Sequence, residues 1–404
     1  MAERLLFQEW IEQRIKYELT YPLSMLHVEA GDLLQVNLGL QTETLEVRRV
    51  KLGANLICEY ECTASDKSFL TYTRQLPIRS VESEIQVEGE TILEIRDINL
   101  VSDSDPEGLY VVATGEGTWR FGFLYTSLDA SIYSYASNLG PKGVIGEVVG
   151  DALPPALPYV YDDNSVLLVQ LRAGDTLESV TDVQLDLGVN KALVGDELIQ
   201  FGTAIYISDN QWQLRHFRRG IRGTAHAISG HQASEKFLLF TGDDASVLVQ
   251  EGTVSDVGRT YYFKALNSYQ TLDQVAADTV PVVGNPYRPY APSGVRLSRN
   301  SSDDLILEWS RHARRNGRWR DGGDIAIDAS ETRCLVEIRN GATLVQSAFV
   351  SGNSYTYTAA DQVADFGALQ GSLSVTIYQL NDAVVNGFRG WPFIGSVSVS
   401  RSLL

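Results

Sequence analysis

The residues of this sequence most able to do chemistry are three histidines with a glutamate close behind them. His216, His226 and His231 follow one another at spacings of ten and five residues, and Glu235 comes next. A metal site on one helix needs two imidazoles four residues apart, and neither spacing supplies that pair. We therefore expect no metal here, and we place His226 and His231 in a loop between two strands.

Adjacent aspartates are a second candidate for chemistry. They occur as Asp162–Asp163, Asp243–Asp244 and Asp303–Asp304. A glycosidase needs two carboxylates held apart across a cleft, whereas neighbouring aspartates are typical of solvated turns. The sequence also lacks the nucleophile-elbow, zinc-protease, phosphate-loop and dinucleotide motifs. We therefore predict that the protein is not an enzyme, and we assign it no catalytic residue and no cofactor.

Two segments combine arginine with aromatic residues, Trp212–Thr224 and Glu308–Asp324. Such segments can bind nucleic acid, but arginine is also the preferred cation for ion pairs inside interfaces. The chain uses 26 arginines and only 7 lysines within an acidic composition, which favours domain or subunit contacts. The candidate interface and structural residues are Trp10, Arg218, Arg219, Arg222, Trp309, Arg311, Arg314 and Trp319.

The composition excludes several classes of function. The 404 residues carry a net charge of −18, which opposes a main role in binding nucleic acid or anionic lipid. Residues 286–404 hold 12 arginines, no lysine and 11 acidic residues, so residues 1–285 carry a net charge of −19. The first residues lack the apolar core of a signal peptide. The sequence contains no run of about 18 apolar residues, so we do not expect an integral membrane protein. Three cysteines cannot form a disulfide framework, which is typical of folding in a reducing cytoplasm.

The elements that must position these residues are mostly strands. Apolar residues at three- and four-residue steps predict an N-terminal amphipathic helix that continues to Leu19 and ends at Pro22. Beyond it, short runs rich in Val, Ile, Thr and Tyr recur about every 8–12 residues, as expected for β-sandwiches or β-barrels. Asp182–Leu187 is one predicted strand, and Leu305–Trp309 is another. The predicted fold class is mainly β, a multidomain β-barrel or β-sandwich chain.

Two proline-rich stretches predict the domain boundaries. Leu153–Pro158 is a candidate linker, and Asn285–Pro292 has the composition of a stiff interdomain connector. The predicted domains are residues 1–152, with the helix and a first β-domain, residues 153–285, with the segment RRGIRGT, and residues 286–404. The last block has about seven short strands and no Cys…Trp…Cys pattern, so we predict a fibronectin type III-like domain.

The segment Asp196–Phe240 carries a recognisable pattern. Its matching positions are Glu197, Gln200, Phe201, Leu214, Arg219, Gly220, Arg222, Gly223, Thr224, Glu235 and Phe237. This pattern resembles that of the phage tail-tip hub family, which includes the large baseplate hub protein of gene transfer agents, often called the megatron, and similar siphophage proteins. A Leu-Leu pair of the pattern is replaced here by His216, Phe217 and Arg218.

Three further stretches resemble the same family. Pro286–Asp324 is similar to its passage from a proline-rich connector into a fibronectin-like domain, and Trp309, Arg311, Arg314, Trp319 and Asp324 occupy matching places. Tyr355–Asn381 is similar to the next part. Tyr21–Leu38 is similar to the strand-turn entry of a hub β-domain. Megatron-type relatives are far longer, so the resemblance implies either a reduced hub or a second polypeptide that supplies the remaining hub domains.

The resemblance implies a structural role in a virion. We expect a component of the tail tip or baseplate, synthesised in the host bacterial cytoplasm, that joins the distal tail to fibres and host-facing proteins during attachment and DNA delivery. The expected partners are two further copies in a homotrimer, the distal tail and other hub proteins, tail fibres or receptor-binding proteins, and the host envelope. Phage DNA would pass through without specific binding. The alternative is a carbohydrate-active or carbohydrate-binding surface protein with a fibronectin-like accessory module.

Overall fold

The structure is a computed structural model, and the chain forms two compact units, Met1–Glu84 and Ile85–Leu404. The residues that the structure describes are 10, 15–39, 41–53, 56–65, 89–117, 119–158, 160–172, 174–240, 247–317 and 326–399. Strands dominate throughout them, which confirms the predicted mainly β class. Short 3-10 helices lie at Leu23–Met25, Ile221–Gly223, Ala225–Ala227, Val254–Asp256, Leu272–Gln274, Asn285–Tyr287 and Ala329–Glu331.

The first unit contains one four-stranded antiparallel sheet, in the order β1-β4-β3-β2. Its strands are β1 (Lys16–Pro22), β2 (Leu33–Asn37), β3 (Thr42–Leu52) and β4 (Ile57–Ala64). Leu45, Val47 and Tyr60 are buried on one face, together with two of the free cysteines. The alternation of buried and exposed residues along these strands is the pattern of a sheet with one covered face.

The predicted N-terminal helix is wrong in its last part. Trp10 is helical, but Lys16–Pro22 forms β1, and its residues alternate between exposed and half-buried. Leu19 lies opposite Tyr60 of β4 in the antiparallel register. The two-residue alternation of Tyr17, Leu19 and Tyr21 satisfies the sheet core, and this tertiary pairing overrides a weak three- and four-residue period. The other residues of the predicted helix before Ile15 lie outside the described part.

The second unit begins with a β-sandwich that another domain interrupts. Its first strands are β5 (Thr91–Arg96), β6 (Gly108–Gly115), β7 (Gly122–Ser127) and β8 (Ser134–Leu139). The inserted strands are β9 (Ile145–Val148), β10 (Tyr161–Asp162), β11 (Leu167–Leu171), β12 (Lys191–Val194), β13 (Glu197–Ser208), β14 (Gln211–Arg218) and β15 (Lys236–Phe240), with helix α1 (Asp182–Asp186) after β11. The sandwich resumes with β16 (Val247–Glu251), β17 (Thr260–Leu266) and β18 (Asp278–Pro281).

The inserted strands close into an antiparallel barrel. The order β14-β11-β9-β15-β12-β13 returns to β14 through the β13–β14 pairing, and β10 pairs with the last two residues of β14. Val169, Phe201, Leu214, Phe217 and Phe237 fill its interior. Closure removes free sheet edges, so the barrel can stand on the sandwich without offering a strand for pairing.

The predicted domain boundary at residues 152 and 153 is wrong. Strand β9 precedes that point and belongs to the barrel, while β6 pairs with β16 and β7 with β17 across the whole insertion. The predicted linker at 153–158 is also wrong, because Leu153 is buried in the barrel core. Proline content marked a loop here, but the loop folds back over the barrel mouth.

The sandwich and the barrel share an apolar interface. Tyr110 and Val112, on the outer face of β6, pack against Leu193, Leu198 and Leu238 on the outside of the barrel. All five side chains are buried. Burying a side chain of this size contributes about 1.5–3 kcal/mol, so this cluster fixes the two domains to each other.

The C-terminal domain has the two sheets of a fibronectin type III-like sandwich. Sheet β19-β20-β23 faces sheet β22-β21-β24-β25. The strands are β19 (Ser293–Arg299), β20 (Leu305–Ser310), β21 (Arg333–Asn340), β22 (Thr343–Ser351), β23 (Ser354–Tyr357), β24 (Ser372–Asn381) and β25 (Phe388–Ser398), with helix α2 (Ala359–Phe366) before β24. Leu305, Leu307 and Trp309 are all buried in the core, which confirms their predicted common face.

Helix α1 replaces a predicted strand at Asp182–Leu187. Thr181 caps it, because its hydroxyl accepts from Gln184 N and the Gln184 side chain accepts from Thr181 N. This reciprocal capping box favours the start of a helix where the residues that follow are not held in a sheet. Within the described residues, no helix is long and apolar enough to span a membrane.

Candidate functional site

The RRGIRGT segment follows β14 at one mouth of the barrel. Leu214 and Phe217 point into the core, and the chain then turns so that Arg219 is fully buried at the end of the strand. Glu197, the first residue of β13, is buried beside it. Arg219 Nε donates to Glu197 Oε1 at 3.0 Å, and Nη2 donates to Oε2 at 2.8 Å. This two-point geometry is the strongest form of an arginine–carboxylate pair.

The remaining polar atoms of this pair are also bonded. Arg219 Nη1 donates to the Pro154 carbonyl at 2.9 Å and to Asp162 Oδ2 at 3.2 Å. Gly220 N donates to Glu197 Oε1 at 2.6 Å. Arg219 therefore ties the loop after β9, strand β10, strand β13 and the turn after β14 to one point. A buried charge of this kind is tolerated only when its hydrogen bonds are complete.

His231 completes the buried network. Its Nε2 lies 2.6 Å from Glu197 Oε2, and its Nδ1 lies 2.7 Å from Glu235 Oε2. Ionised carboxylates only accept, so both of these hydrogen bonds form when the ring carries a proton on each nitrogen. Burial alone would lower the pKa of His231, but hydrogen bonds to Glu197 and Glu235 outweigh it and raise the pKa. With both nitrogens engaged, this histidine has no free nitrogen to accept a substrate proton.

Glu197 is held in its charged form by the same contacts. Burial opposes its ionisation, yet the hydrogen bonds from His231 and Arg219 keep its pKa below the usual range. The Glu197 carboxylate is therefore stabilised in its charged form although it is buried. The side-chain nitrogens of Arg219 and His231 and both oxygens of Glu197 are bonded within the network, which stabilises this mouth of the barrel.

Both glycines of the turn are required by its backbone. Gly220 has φ 61° and Gly223 has φ 82°, in the left-handed region that residues with a Cβ avoid. A Cβ on Gly220 would lie 2.7 Å from Ala225 Cα. A Cβ on Gly223 would lie 2.3 Å from Cδ1 of Tyr290 in the proline-rich connector. The second glycine thus lets the connector pack directly on the barrel turn.

Arg222 joins the barrel to the sandwich. Its Nε donates to the Leu100 carbonyl at 2.7 Å, and its Nη1 pairs with Asp103 Oδ1 at 2.7 Å. In return, Asn99 Nδ2 donates to the Arg222 carbonyl at 2.8 Å. Thr224, the last residue of the motif, accepts from Leu198 N at 3.0 Å. The turn is therefore bonded to the barrel wall on one side and to the loop before β6 on the other.

The second arginine-rich segment joins the C-terminal domain to the sandwich. Arg314 pairs with Glu331 of its own domain at 3.0 Å and with Glu107 at 2.9 Å, and it donates to the Pro286 carbonyl at 2.7 Å. Arg315 pairs with the same Glu107 at 2.9 Å and donates to the Asp105 carbonyl at 2.7 Å. These bonds hold the connector between two domains.

The other candidate residues have different surroundings. Arg218 lies on the barrel surface, where it bonds Asp186 and the Tyr161 hydroxyl, and Arg311 donates to the Thr332 carbonyl at 3.2 Å. Trp309 is a core residue of the C-terminal domain. Trp10 is 55% exposed in the first unit. Trp319 lies outside the described residues.

Sequence reasoning did not single out the acidic partners of these arginines. Glu197 was visible only as a position of the family-like pattern, and Glu235 only there and as a carboxylate close to the three histidines. Asp162 was assigned to a solvated turn, although it is buried against Arg219. Asp103 and Glu107 carried no signal, because an acidic loop residue gains its role only from the arginine that the fold brings to it. The expected loop location of His226 and His231, between β14 and β15, is confirmed.

No ion site competes with this structural role in the described part of the chain. The described residues contain no group of three or more His, Cys, Asp or Glu side chains arranged to hold a metal ion. His226 instead stacks on Trp391 of the C-terminal domain, with ring centroids 3.5 Å apart. That contact is a further link between the barrel and the C-terminal domain.

Residues 143–238 match a family described as Rcc01698-like, C-terminal, which is associated with gene transfer agents. The matched range contains the barrel strands from β9 into β15 and the whole network around Arg219. No curated protein matches the sequence.

Several solved structures align weakly with the chain. Domains d3–d4 of the rat CD45 extracellular region are 15% identical with a TM-score of 0.21, over 40% of this chain and 72% of that one. Chicken CNTN1 domains FN1–FN3 are 10% identical with a TM-score of 0.20, over 78% and 100%. Titin domains A168–A170 are 13% identical with a TM-score of 0.19, over 78% and 100%. Scores this low establish no shared overall fold.

Proposed function

We propose that this protein is a structural component of the tail tip of a phage or phage-like particle, part of the central baseplate hub. The observation that carries the proposal is the match of residues 143–238 to a family associated with gene transfer agents. That range holds the barrel and the buried Arg219–Glu197–His231 network. The hub would join the distal tail to fibres and host-facing proteins during attachment and genome delivery.

The internal joints of the second unit support a mechanical role. Barrel, sandwich and C-terminal domain are connected by Arg222, by Arg314 with Arg315, and by the apolar cluster around Tyr110. Partly buried, charge-assisted hydrogen bonds are short and directional, so they resist rotation of one domain against another. A hub that transmits force between a tail and its fibres needs such fixed domain angles.

The charge distribution supports a surface that faces DNA. Residues 1–285 carry a net charge of −19. An acidic channel wall would repel the phosphate backbone and let the genome pass without specific binding. A homotrimer around the tail axis would supply such a wall. The exposed apolar tip at Ile205, Tyr206 and Ile207 on the β13–β14 hairpin is a surface that suits subunit contact.

Electron microscopy of particles with a C-terminal tag tests the location. Gold label at the tail tip is the expected result, and label on the head, along the tail shaft or absent from particles would refute the proposal. Size-exclusion chromatography with light scattering tests the trimer. A mass close to three times 44.6 kDa is expected. The same mass is expected for the purified protein and for protein that has been released from particles and separated from its hub partners.

The same sample tests the alternative of a carbohydrate-active surface protein. The purified chain is incubated with host envelope polysaccharide, and new reducing ends are measured. We expect none, because the buried carboxylates of the barrel are already paired with Arg219 and His231. A steady release of reducing ends that heat-denatured protein does not produce would favour the alternative.

A further inference from the structure

A cleft of about 680 Å³ lies where the barrel, the loop before β6, the connector and the C-terminal domain meet. Residues from all four parts line it, among them Ser102, Arg222, Tyr290, Arg311 and Asn316. Small-molecule sites in proteins have volumes of roughly 300–1,000 Å³ and form preferentially between domains. The size and position of the cleft are those of a ligand site.

Two residues that line this cleft each have a buried donor without a hydrogen-bond partner among the described residues. Arg222 uses Nε and Nη1 on Leu100 and Asp103, but its Nη2 is buried without a hydrogen bond within the described residues. The Tyr290 hydroxyl is likewise buried and unpartnered there. Buried polar atoms are almost always bonded, so an unpartnered donor on each of two residues of one cleft suggests a missing acceptor.

The position of Tyr290 is fixed by its surroundings. Its ring packs on Gly223, where a Cβ would come within 2.3 Å. The residue before it, Pro289, accepts from Trp391 N at 2.9 Å, and Asp97 accepts from three backbone amides of residues 283–285 at the start of the connector. These contacts hold the connector, and with it the Tyr290 side chain, at the wall of the cleft.

The cleft is cationic within an acidic protein. Lys191, Arg222 and Arg311 line it, against the single carboxylate of Asp103. Burial lowers the pKa of His312, so that ring adds no charge at neutral pH. Arg311 donates to the Thr332 carbonyl at 3.2 Å and has no carboxylate partner within the described residues.

We propose that this cleft binds an organic oxyanion about the size of a sugar acid. The oxyanion accepts hydrogen bonds from Arg222 Nη2 and Tyr290 Oη, and Arg311 supplies the balancing charge. Ser102 and Asn316 also line the cleft and offer polar side chains to the rest of the ligand. A bare inorganic anion would fill only a small part of about 680 Å³, which favours a ligand with a carbon skeleton. The site does not depend on the proposed role in a tail tip.

Isothermal titration calorimetry with glucuronate tests the proposal on the full chain. We expect saturable binding that weakens with added salt, and much weaker binding of glucose or inorganic phosphate. Tyr290→Phe, which removes only the hydroxyl, should reduce affinity roughly tenfold, as loss of a hydrogen bond to a charged group does. Arg311→Gln should reduce it by a similar factor. Arg296→Gln, at an exposed arginine of the same domain, serves as the matched control and should bind normally.

A thermal melt without ligand separates binding from folding. The Tyr290 hydroxyl has no partner in the described chain, so Tyr290→Phe should melt at the same temperature as the parent or higher. The absence of saturable glucuronate binding, or equal binding by Tyr290→Phe, would overturn the site. Phosphate binding as tight as glucuronate binding would overturn the ligand class.

Discussion

The barrel holds two histidines that each lie between two carboxylates, and the two differ mainly in burial. His231 bonds Glu197 and Glu235, and its side chain is 2% exposed. His216 bonds Asp163 and Asp182, and its side chain is 28% exposed while both aspartates are more than 60% exposed. Each histidine has an arginine nearby, Arg219 in the first case and Arg218 in the second.

The difference shows that burial decides what the same residue types contribute. Exposed ion pairs are screened by water and contribute about 0–1 kcal/mol. Removing one member of a buried pair leaves an uncompensated charge and costs about 3–5 kcal/mol. Arg218 and Arg219 are neighbours in sequence, yet Arg218 lies on the barrel surface and Arg219 holds four segments together at the barrel mouth.

The largest expected effect comes from Arg219→Met. It should lower the free energy of unfolding by about 3–5 kcal/mol, because Glu197 and Asp162 lose their buried cation. Urea titration followed by circular dichroism measures the loss. Arg218→Met is the matched control and should change stability by no more than about 1 kcal/mol. Equal losses in the two variants would show that burial does not separate the two sites.

If Arg219→Met fails to fold, a variant that keeps the positive charge can still be used to compare the buried and the exposed arginine. Arg219→Lys retains a cation but loses the two-point bond to Glu197 and the contact with Pro154. We expect an intermediate loss of stability. A lysine variant as stable as the parent would mean that the charge alone matters and the geometry of the guanidinium does not.

The next effect is that of Gly223→Ala. The added Cβ would overlap the Tyr290 ring and would sit at φ 82°, so we expect a loss of about 2–4 kcal/mol. Gly341→Ala is the control, because Gly341 has φ 60° but open space around it, and it should lose only about 1 kcal/mol. Chemical unfolding of both variants measures the difference. Equal losses of stability would show that the contact with the connector does not explain why glycine occupies position 223.

The smallest effect is a pH dependence that only the buried histidine should produce. Contacts with Glu197 and Glu235 raise the pKa of His231 in the folded protein above its unfolded value near 6.5. Its stabilisation is therefore complete below about pH 6.5 and is lost as pH rises through the folded pKa. The slope for one proton is at most about 1.4 kcal/mol per pH unit. When melting temperatures are measured from pH 5 to 9, that of His231→Gln should fall less steeply above pH 6.5 than that of the parent protein.

His216→Gln is the comparison for this measurement. The hydrogen bond with Asp163 also raises the pKa of His216, but the pair is exposed and screened. We expect the melting temperature of this variant to decline above pH 6.5 almost as much as that of the parent. The small difference between the two proteins should shrink in high salt. A decline that follows His216 and survives high salt would reverse the assignment.

Much of the local structure could be predicted from the sequence. The strand Leu305–Trp309 and its buried face follow from two-residue alternation, which depends only on neighbouring residues. The turn glycines at 220 and 223 are also a local signal. The helix at Asp182–Asp186 was missed because a run of Val, Leu and Asp suits either element, and the capping contact between Thr181 and Gln184 decided it.

The candidate site was predictable only in half of its residues. The arginines stood out by type and clustering, but their partners did not. Arg314 meets Glu107 from 207 residues away, and Asn99 meets Arg222 from 123 residues away. No short-range pattern encodes such pairs, because they exist only after the sandwich, the barrel and the C-terminal domain have packed against one another.

By itself, the sequence determined that the chain is acidic, mainly β and rich in arginine that needs partners, since charge, alternation and turn residues are local properties. Only the tertiary structure decided that the barrel interrupts the sandwich, that Arg219 is buried while Arg218 is not, and that Tyr290 meets Gly223. Those outcomes depend on which distant surfaces exclude water from each other. The strength of an ion pair is set by that exclusion rather than by the identity of its residues.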